Sequence, residues 1–178
     1  MDANKKRKLI LDSVIGAVII VVGIILDQIT KFIAVKHLKE EFSVTFIDGL
    51  IDFTYVENRG MAWGLFADHR WVFMLVSTVA IIVVGVILFS GRSPSKLYSV
   101  FMACIISGGI GNMIDRVALG YVVDFIEATF IDFPVFNVAD SFVTVGAFGL
   151  IILLVIDIVR ESVAEAKKKK ENGDKSND

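Results

Sequence analysis

Acidic and amide side chains recur in short sets near the ends of the apolar segments of this chain. Three sets share the spacing i, i+3, i+4, and they are Asp27/Thr30/Lys31, Asn112/Asp115/Arg116 and Asn137/Asp140/Ser141. This spacing places the members of a set on one face of a helix. Asp124 lies between the second and third sets, inside the apolar run 122–126. Ionisable residues at the edge of a membrane are costly to bury, so each is a candidate for a functional role.

A pair of these carboxylates could hydrolyse a peptide bond. Two carboxylates that are close enough to share a proton cannot both ionise, so one stays neutral and one charged. The charged carboxylate can take a proton from water while the neutral one donates to a carbonyl oxygen. The amides of Asn112 and Asn137 can donate hydrogen bonds that orient such carboxylates. The polar residues therefore support acid–base hydrolysis without a metal.

The same residues also allow purely structural interpretations. Asp27 and Lys31 are in the favourable acid-then-base order at i, i+4, so they can neutralise each other. Asp140 can act as an N-terminal cap of the apolar segment that follows it, because an acid there complements the helix dipole. Asp124 can lie on a segment at the membrane interface and extend its carboxylate into water.

Other catalytic mechanisms have less support in this sequence, because the residues that they need are missing or far apart. A cysteine nucleophile is disfavoured because Cys104, the only cysteine, lies within an apolar segment, whereas His37 and His69 lie in a distant polar connection. A zinc peptidase is disfavoured because the H-E-x-x-H motif does not occur. A small transporter or scaffold that binds a cation through the same acids stays an open alternative, although transporters place such acids near the membrane midplane.

The elements that must position these residues are apolar segments. Of the 178 residues, 55% are hydrophobic and only 2 are proline, whereas a soluble domain is about 45–50% apolar. A membrane-spanning helix needs roughly 20 mostly apolar residues. Four segments meet this requirement, and the predicted spans are about 13–32, 72–89, 97–114 and 141–158.

The distribution of lysine and arginine predicts the orientation of these spans. Basic residues are concentrated in the flank 5–8, in the loop 92–96 and in the tail 167–170. With four spans these three segments share one side, so both termini are predicted to be cytoplasmic and the polar sets to lie at the outer face. Residues 1–166 form the predicted membrane domain, and the polar tail 167–178 is predicted to be disordered.

The two outer segments have different patterns. Within 42–66, apolar and polar residues alternate on both sides of Asp48 and Gly49, which predicts a short β-hairpin. The segment 121–136 mixes aromatic and acidic residues, and we expect it to lie along the membrane interface. The predicted fold class is an all-α membrane protein with four transmembrane helices, a small extracytoplasmic β-hairpin or sheet and an interfacial helix.

Five short motifs in this order resemble the bacterial lipoprotein signal peptidases (signal peptidase II) over roughly 13–160. The motifs are Asp27-Gln28-Ile29-Thr30-Lys31, Asn58-Arg59-Gly60-Met61-Ala62-Trp63, Gly111-Asn112-Met113-Ile114-Asp115-Arg116, Val122-Val123-Asp124-Phe125-Ile126 and Phe136-Asn137-Val138-Ala139-Asp140-Ser141. Each motif alone is a weak signal. All five in this order, in the same relation to four spans, are specific.

The resemblance implies four transmembrane helices, with a helix in the second outer segment that lies over the active site. It also implies an aspartic endopeptidase that needs no cofactor and no metal. It implies that Asp124 and Asp140 form the catalytic pair. The residues expected to support this pair or to bind substrate are Asp27, Lys31, Asn58, Gly60, Asn112, Asp115, Arg116 and Asn137.

The resemblance also implies a substrate and a location. The substrate would be a prolipoprotein whose lipobox cysteine already carries a diacylglyceryl group, and cleavage would fall just before that cysteine. The active site would lie at the outer face of the bacterial cytoplasmic membrane, where a lipidated cysteine is held. The expected partners are these prolipoproteins and membrane lipids, without nucleic acid, and we expect the chain to be a monomer.

Overall fold

The computed structural model describes residues 3–41, 43–60, 70–91 and 93–174. Within them, four α-helices and three β-strands follow one another along the chain. In order, they are α1 (Ala3–Leu38), β1 (Ser43–Ile47), β2 (Ile51–Asn58), α2 (Arg70–Phe89), α3 (Lys96–Ala118), β3 (Val122–Ala128) and α4 (Val138–Asp174). Each predicted span therefore falls within a helix.

The helices carry the apolar segments on which the membrane prediction depends. Three helical stretches in the described part of the chain are long and apolar enough to cross a membrane: Leu9–Leu38, Lys96–Ala118 and Val138–Lys169. The described apolar stretch of α2, Met74–Phe89, is shorter. The protein is thus mostly helical, with three to four apolar helices.

Helix α3 is the centre of the bundle and packs against α1, α2 and α4. Half of its most apolar window is buried (50%), compared with 11% for the corresponding window of α4. Apolar side chains on the outer faces of α1 and α4 can stay exposed because lipid tails are as apolar as they are. A buried cluster fills the bundle near the C-terminal end of α2, and its members are Leu88, Tyr98, Met102, Ala103 and Ile106.

A three-stranded antiparallel sheet in the order β1-β2-β3 covers one end of the bundle. Strands β1 and β2 form the predicted hairpin, and Gly49 in its turn has a φ of 69°, a left-handed value that glycine adopts without steric cost. Strand β3 packs Val123 and Phe125 against Ala34 and Leu38 near the end of α1. The sheet is therefore anchored to the helix that carries Asp27 and Lys31.

The segment between α3 and α4 differs from its predicted form. We expected an interfacial helix over 121–136, but Val122–Ala128 is strand β3. The described residues that follow it form turns and a single bridge between Phe136 and Ile126. β-Branched and aromatic residues dominate the strand and favour this conformation, and β2 offers an edge that satisfies its backbone groups. The prediction of a helix in this segment was wrong.

Helix α4 continues to Asp174, beyond residue 167, where the sequence predicted disorder. Lysine and glutamate are good helix formers, so a lysine-rich extension can continue a long apolar helix. Residues 175–178 lie outside the described residues.

Candidate active site

Polar side chains from α1, α3, β3 and the start of α4 meet in one buried layer at the sheet-covered end of the bundle. Five of them are at most 3% exposed: Asp27, Lys31, Asp115, Asp124 and Asn137. The structure thus brings together residues that are up to 113 positions apart in the sequence, from Asp27 to Asp140. Burial on this scale requires that each charge and amide has a partner.

Lys31 is the positive centre of this layer. Its Nζ lies 3.0 Å from Asp27 Oδ2 and 3.1 Å from Asp115 Oδ2, and it donates to Asn112 Oδ1 at 2.9 Å. An ammonium group has three donors and no acceptor, so all three donors are used. The predicted pairing of Asp27 with Lys31 is confirmed, and Asp115 adds a second carboxylate.

Asp115 connects three elements through its two carboxylate oxygens. Its Oδ1 accepts from Gln28 Nε2 at 3.0 Å, and its Oδ2 accepts from the backbone N–H of Val123 at 3.0 Å. Gln28 also donates to the main-chain oxygen of Gly111 at 3.3 Å and to Asp27 Oδ2 at 3.2 Å. Sequence reasoning did not include Gln28 among the site residues, although an amide beside Asp27 in an apolar segment was an available signal.

Asp27 also ties α1 to the beginning of α4. Its Oδ1 accepts the backbone N–H of Ala139 at 3.0 Å. Ala139 is the second residue of α4, and its N–H is one of those that a helix start leaves without a partner inside the helix. A carboxylate at this position is also favoured by the helix dipole. Asp27 therefore holds the N-terminus of α4, where Asp140 lies, against α1.

Asn137 and Asp140 cap α4 reciprocally. The backbone N–H of Asp140 donates to Asn137 Oδ1 at 2.9 Å, and the backbone N–H of Asn137 donates to Asp140 Oδ2 at 3.2 Å. This pattern is a capping box with an asparagine cap and an aspartate three residues later. The capping role that the sequence allowed for Asp140 is therefore present, but its Oδ1 stays free of the cap and accepts Asn112 Nδ2 at 2.7 Å.

Asp124 lies beside this box with amide donors on both of its oxygens. Asn137 Nδ2 donates to Oδ1 at 2.6 Å, and Asn58 Nδ2 donates to Oδ2 at 2.8 Å. Burial, and next the negative charge of Asp140, raise the pKa of Asp124 to about 7 from 3.8. At neutral pH, Asp124 can therefore be either a proton donor or a proton acceptor.

The remaining predicted residues surround the two carboxylates. The backbone N–H of Gly60 donates to Asn58 Oδ1 at 3.0 Å, which leaves the NH₂ group of Asn58 facing Asp124. Arg116 donates to the main-chain oxygen of Asn112 at 3.3 Å, and its charge acts on Asp140, Asp124 and Asp115. Trp63, which belongs to the second motif, lies outside the described residues.

Asn112→Ala tests whether the amides serve the carboxylates or only the fold. We expect Asn112→Ala to lower catalytic activity by about 100-fold while the protein accumulates in the membrane at a near-normal level. Asn137→Ala should lower the rate similarly and also cost about 1 kcal/mol of stability through the lost cap. The rate of each variant is measured per amount of purified protein and compared with the wild type. Ser162→Ala, on the exposed part of α4, is the control. Parallel losses of protein and activity in both asparagine variants would indicate a purely structural role.

Comparison with known proteins places this arrangement in a known family. Residues 19–156 match the family model described as signal peptidase (SPase) II. The chain is 41% identical over 154 residues to a lipoprotein signal peptidase of Clostridium tetani. The aligned region covers 85% of this chain and 96% of the relative. The chain is also 45% identical over 139 residues to a lipoprotein signal peptidase of Caldanaerobacter subterraneus, and this alignment covers 78% of this chain and 94% of the relative.

Solved structures show the same architecture. A bacterial membrane enzyme determined by the in meso method at 2.3 Å resolution has a TM-score of 0.76 and 32% identity, covering 80% of this chain and 88% of that one. A second such enzyme, at 1.9 Å resolution, has a TM-score of 0.71 and 33% identity, covering 78% and 91%. The fold and these similarities define a multi-pass membrane enzyme. The chain belongs to the signal peptidase II family, and this membership makes it a membrane protease.

Proposed function

We propose that this chain is an aspartic endopeptidase that removes the signal peptide from diacylglyceryl-modified prolipoproteins, just before the lipidated cysteine. The observation that carries the proposal is that the buried Asp124 and the half-buried Asp140 lie in the same polar layer, with amide donors on both. The names of the relatives, lipoprotein signal peptidases, support the substrate class.

The two carboxylates would divide the work of hydrolysis between them. With a pKa of about 7 at Asp124, one proton shared by the pair leaves one carboxylate ionised and one protonated near neutral pH. The ionised carboxylate takes a proton from water as the water oxygen bonds to the carbonyl carbon of the scissile peptide. The protonated carboxylate donates to the carbonyl oxygen, and a proton then passes to the leaving nitrogen as the C–N bond breaks.

The surrounding groups make this division possible. Each oxygen of Asp124 and Asp140 accepts one N–H group, from Asn58, Asn112 or Asn137, so the ionised form is stabilised despite its burial. Lys31 and Arg116 supply positive charge nearby. Because the carboxylate oxygens already have donors and cations lie close by, the same geometry disfavours a cation-binding transporter site.

The location of the protein is part of the proposal. We infer four spans in the bacterial cytoplasmic membrane, with both termini in the cytoplasm and the site at the outer face, from the bias of basic residues. The expectation that the chain works as a monomer is also part of the proposal.

Reporter fusions test this topology. Fusions after Asp178 and in the loop 92–96 are expected to report a cytoplasmic location, and fusions near Asp68 an external one. These outcomes follow because positively charged flanks are retained in the cytoplasm. An external reporter at the C-terminus would overturn the four-span arrangement.

Matched peptide substrates test the proposed function. Two lipobox peptides of identical sequence, one with a diacylglyceryl group on the cysteine and one without, are incubated with the purified protein. We expect cleavage of the lipidated peptide and little of the other, because the lipid holds the scissile bond at the membrane interface. Mass spectrometry identifies the bond that is cut. Equal cleavage of both peptides would contradict the proposed substrate.

A further inference from the structure

Three asparagines present the nitrogen of their side-chain amide, not the oxygen, to the carboxylates. Asn137 and Asn58 donate to Asp124 at 2.6 and 2.8 Å, and Asn112 donates to Asp140 at 2.7 Å. An amide that turned by 180° would place its oxygen against a carboxylate oxygen, because one end of the group donates and the other only accepts. Each amide therefore needs a neighbour that holds it in the donating orientation.

Two of the amides are held by the backbone. Asn137 Oδ1 accepts the N–H of Asp140 at 2.9 Å, and Asn58 Oδ1 accepts the N–H of Gly60 at 3.0 Å. A backbone N–H can only donate, so it requires an oxygen opposite it. The NH₂ groups of Asn137 and Asn58 are thereby directed to Asp124.

The third amide is held by a side chain. Asn112 Oδ1 accepts from Lys31 Nζ at 2.9 Å, and an ammonium group, like a backbone N–H, can only donate. Asn137 Nδ2 also lies 3.1 Å from this oxygen. However, the same Nδ2 group donates to Asp124 Oδ1 at 2.6 Å and to the main-chain oxygen of Val123 at 3.4 Å. Lys31 is therefore the neighbour that can commit one N–H group entirely to Asn112 Oδ1.

Lys31 is itself held firmly in place. It is 3% exposed, and Asp27 and Asp115 fix its ammonium group from two sides at 3.0 and 3.1 Å. We propose that Lys31 is a positioning residue of the peptidase reaction, acting through Asn112: its ammonium group holds the Asn112 amide so that Nδ2 donates to Asp140. This role rests on the proposed function and adds to it a reason for the buried cation.

The positioning role differs from simple charge neutralisation in a measurable way. If Lys31 only neutralises Asp27 and Asp115, its loss harms the protein to the same extent whatever residue occupies position 112. If Lys31 acts mainly through Asn112, most of the effect of its loss disappears when no amide is present there to be oriented. The two residues would then be energetically coupled, and a double-mutant cycle measures this coupling.

The experiment compares Lys31→Met, Asn112→Ala and the double variant with the wild type. Activity is measured as kcat and KM on the diacylglyceryl lipobox peptide, per amount of purified folded protein. We expect Lys31→Met alone to lower kcat by about 100-fold with little change in KM, since a misplaced group costs about this much. In the Asn112→Ala background, the same change should lower kcat by less than about 3-fold.

A second pair of variants covers the case in which Lys31→Met alone does not fold. Asp27→Asn/Lys31→Met keeps the formal charge of the cluster of Asp27, Lys31 and Asp115 unchanged, and it enters the same cycle with Asn112→Ala. Lys36→Met, at an exposed position of the same helix, is the matched control and should keep wild-type kcat.

The outcomes separate the positioning role from the proposed function. If the wild type is active and the kcat losses of the Lys31 and Asn112 variants multiply in the double variant, only the positioning role is overturned. Wild-type kcat in a folded Lys31 variant overturns it as well. Absence of cleavage by the wild-type protein overturns the proposed function, and the positioning role with it.

Discussion

Asp124→Asn and Asp140→Asn are each expected to lower kcat for signal-peptide cleavage by at least about 10³-fold, the scale seen when one member of a catalytic unit is removed. An amide can neither take a proton from water nor donate one as a carboxylic acid does. The fold should persist, because an asparagine at position 140 keeps an oxygen for the N–H of Asn137 at the start of α4. Both variants should therefore accumulate in the membrane at normal levels.

Two comparisons make this result decisive. The double variant should be no less active than either single one, because the two residues act as a unit. Asp132→Asn, at an exposed acid of the same connecting segment, is the matched control and should keep full activity. Clear cleavage by either single variant would show that the pair does not perform the chemistry.

Gly111→Ala is expected to lower both the stability and the activity of the protein. A Cβ atom at position 111 would lie 2.5 Å from Asp27 Oδ2 and 3.3 Å from Ala139 Cβ. The Asp27 carboxylate cannot retreat easily because it is bound to Lys31 and to the N–H of Ala139. Overpacking of this kind costs about 1–3 kcal/mol, and displacement of the N-terminus of α4 would move Asp140 as well, at a cost of about 100-fold in rate.

Thermal unfolding and kcat of the purified variant measure this effect. Gly85→Ala is the matched control, because no atom lies within 4 Å of a Cβ built at that position. Alanine is a better helix former than glycine by about 1 kcal/mol, so this control should unfold at the wild-type temperature or slightly above it. Unchanged stability and activity in Gly111→Ala would mean that α1 and α3 do not need this close approach.

Local patterns predicted the helices and the hairpin well. The apolar segments at 13–32 and 141–158 have the composition and length of helices that cross a membrane, and these properties can be read without knowledge of any contact. The hairpin around Asp48 and Gly49 follows from period-two alternation and a turn glycine, which are also local signals. The pairing of Asp27 with Lys31 could be predicted because it lies within one helix.

The form of the segment after α3 could not be predicted in the same way. The run 122–126 is short and apolar, and periodicity does not distinguish a buried strand from a helical piece of this length. What decides the form is β2, whose edge pairs Val56 with Asp124 and Asn58 with Val122. This pairing joins residues more than sixty positions apart, and no local pattern contains it.

The partners between helices also escaped prediction for this reason. The sequence places Asp115 and Asn112 on one face of α3, but it does not show that Lys31 of α1 meets both of them. The same holds for the N–H of Ala139, which no side-chain motif indicates. The assignment of Asp124 and Asp140 as catalytic came from the resemblance of the motifs, and it stays a prediction.

The most direct test of the aspartic mechanism is cleavage of a diacylglyceryl lipobox peptide by the purified protein in excess chelator. We expect the rate to be the same with and without the chelator, and the product identified by mass spectrometry to begin at the lipidated cysteine. The rate should be a bell-shaped function of pH whose alkaline limb falls near pH 7, where the pair loses its shared proton, since one carboxylate must be ionised and the other protonated. Loss of cleavage in the chelator, restored by a divalent metal, would make the aspartates metal ligands and contradict the mechanism.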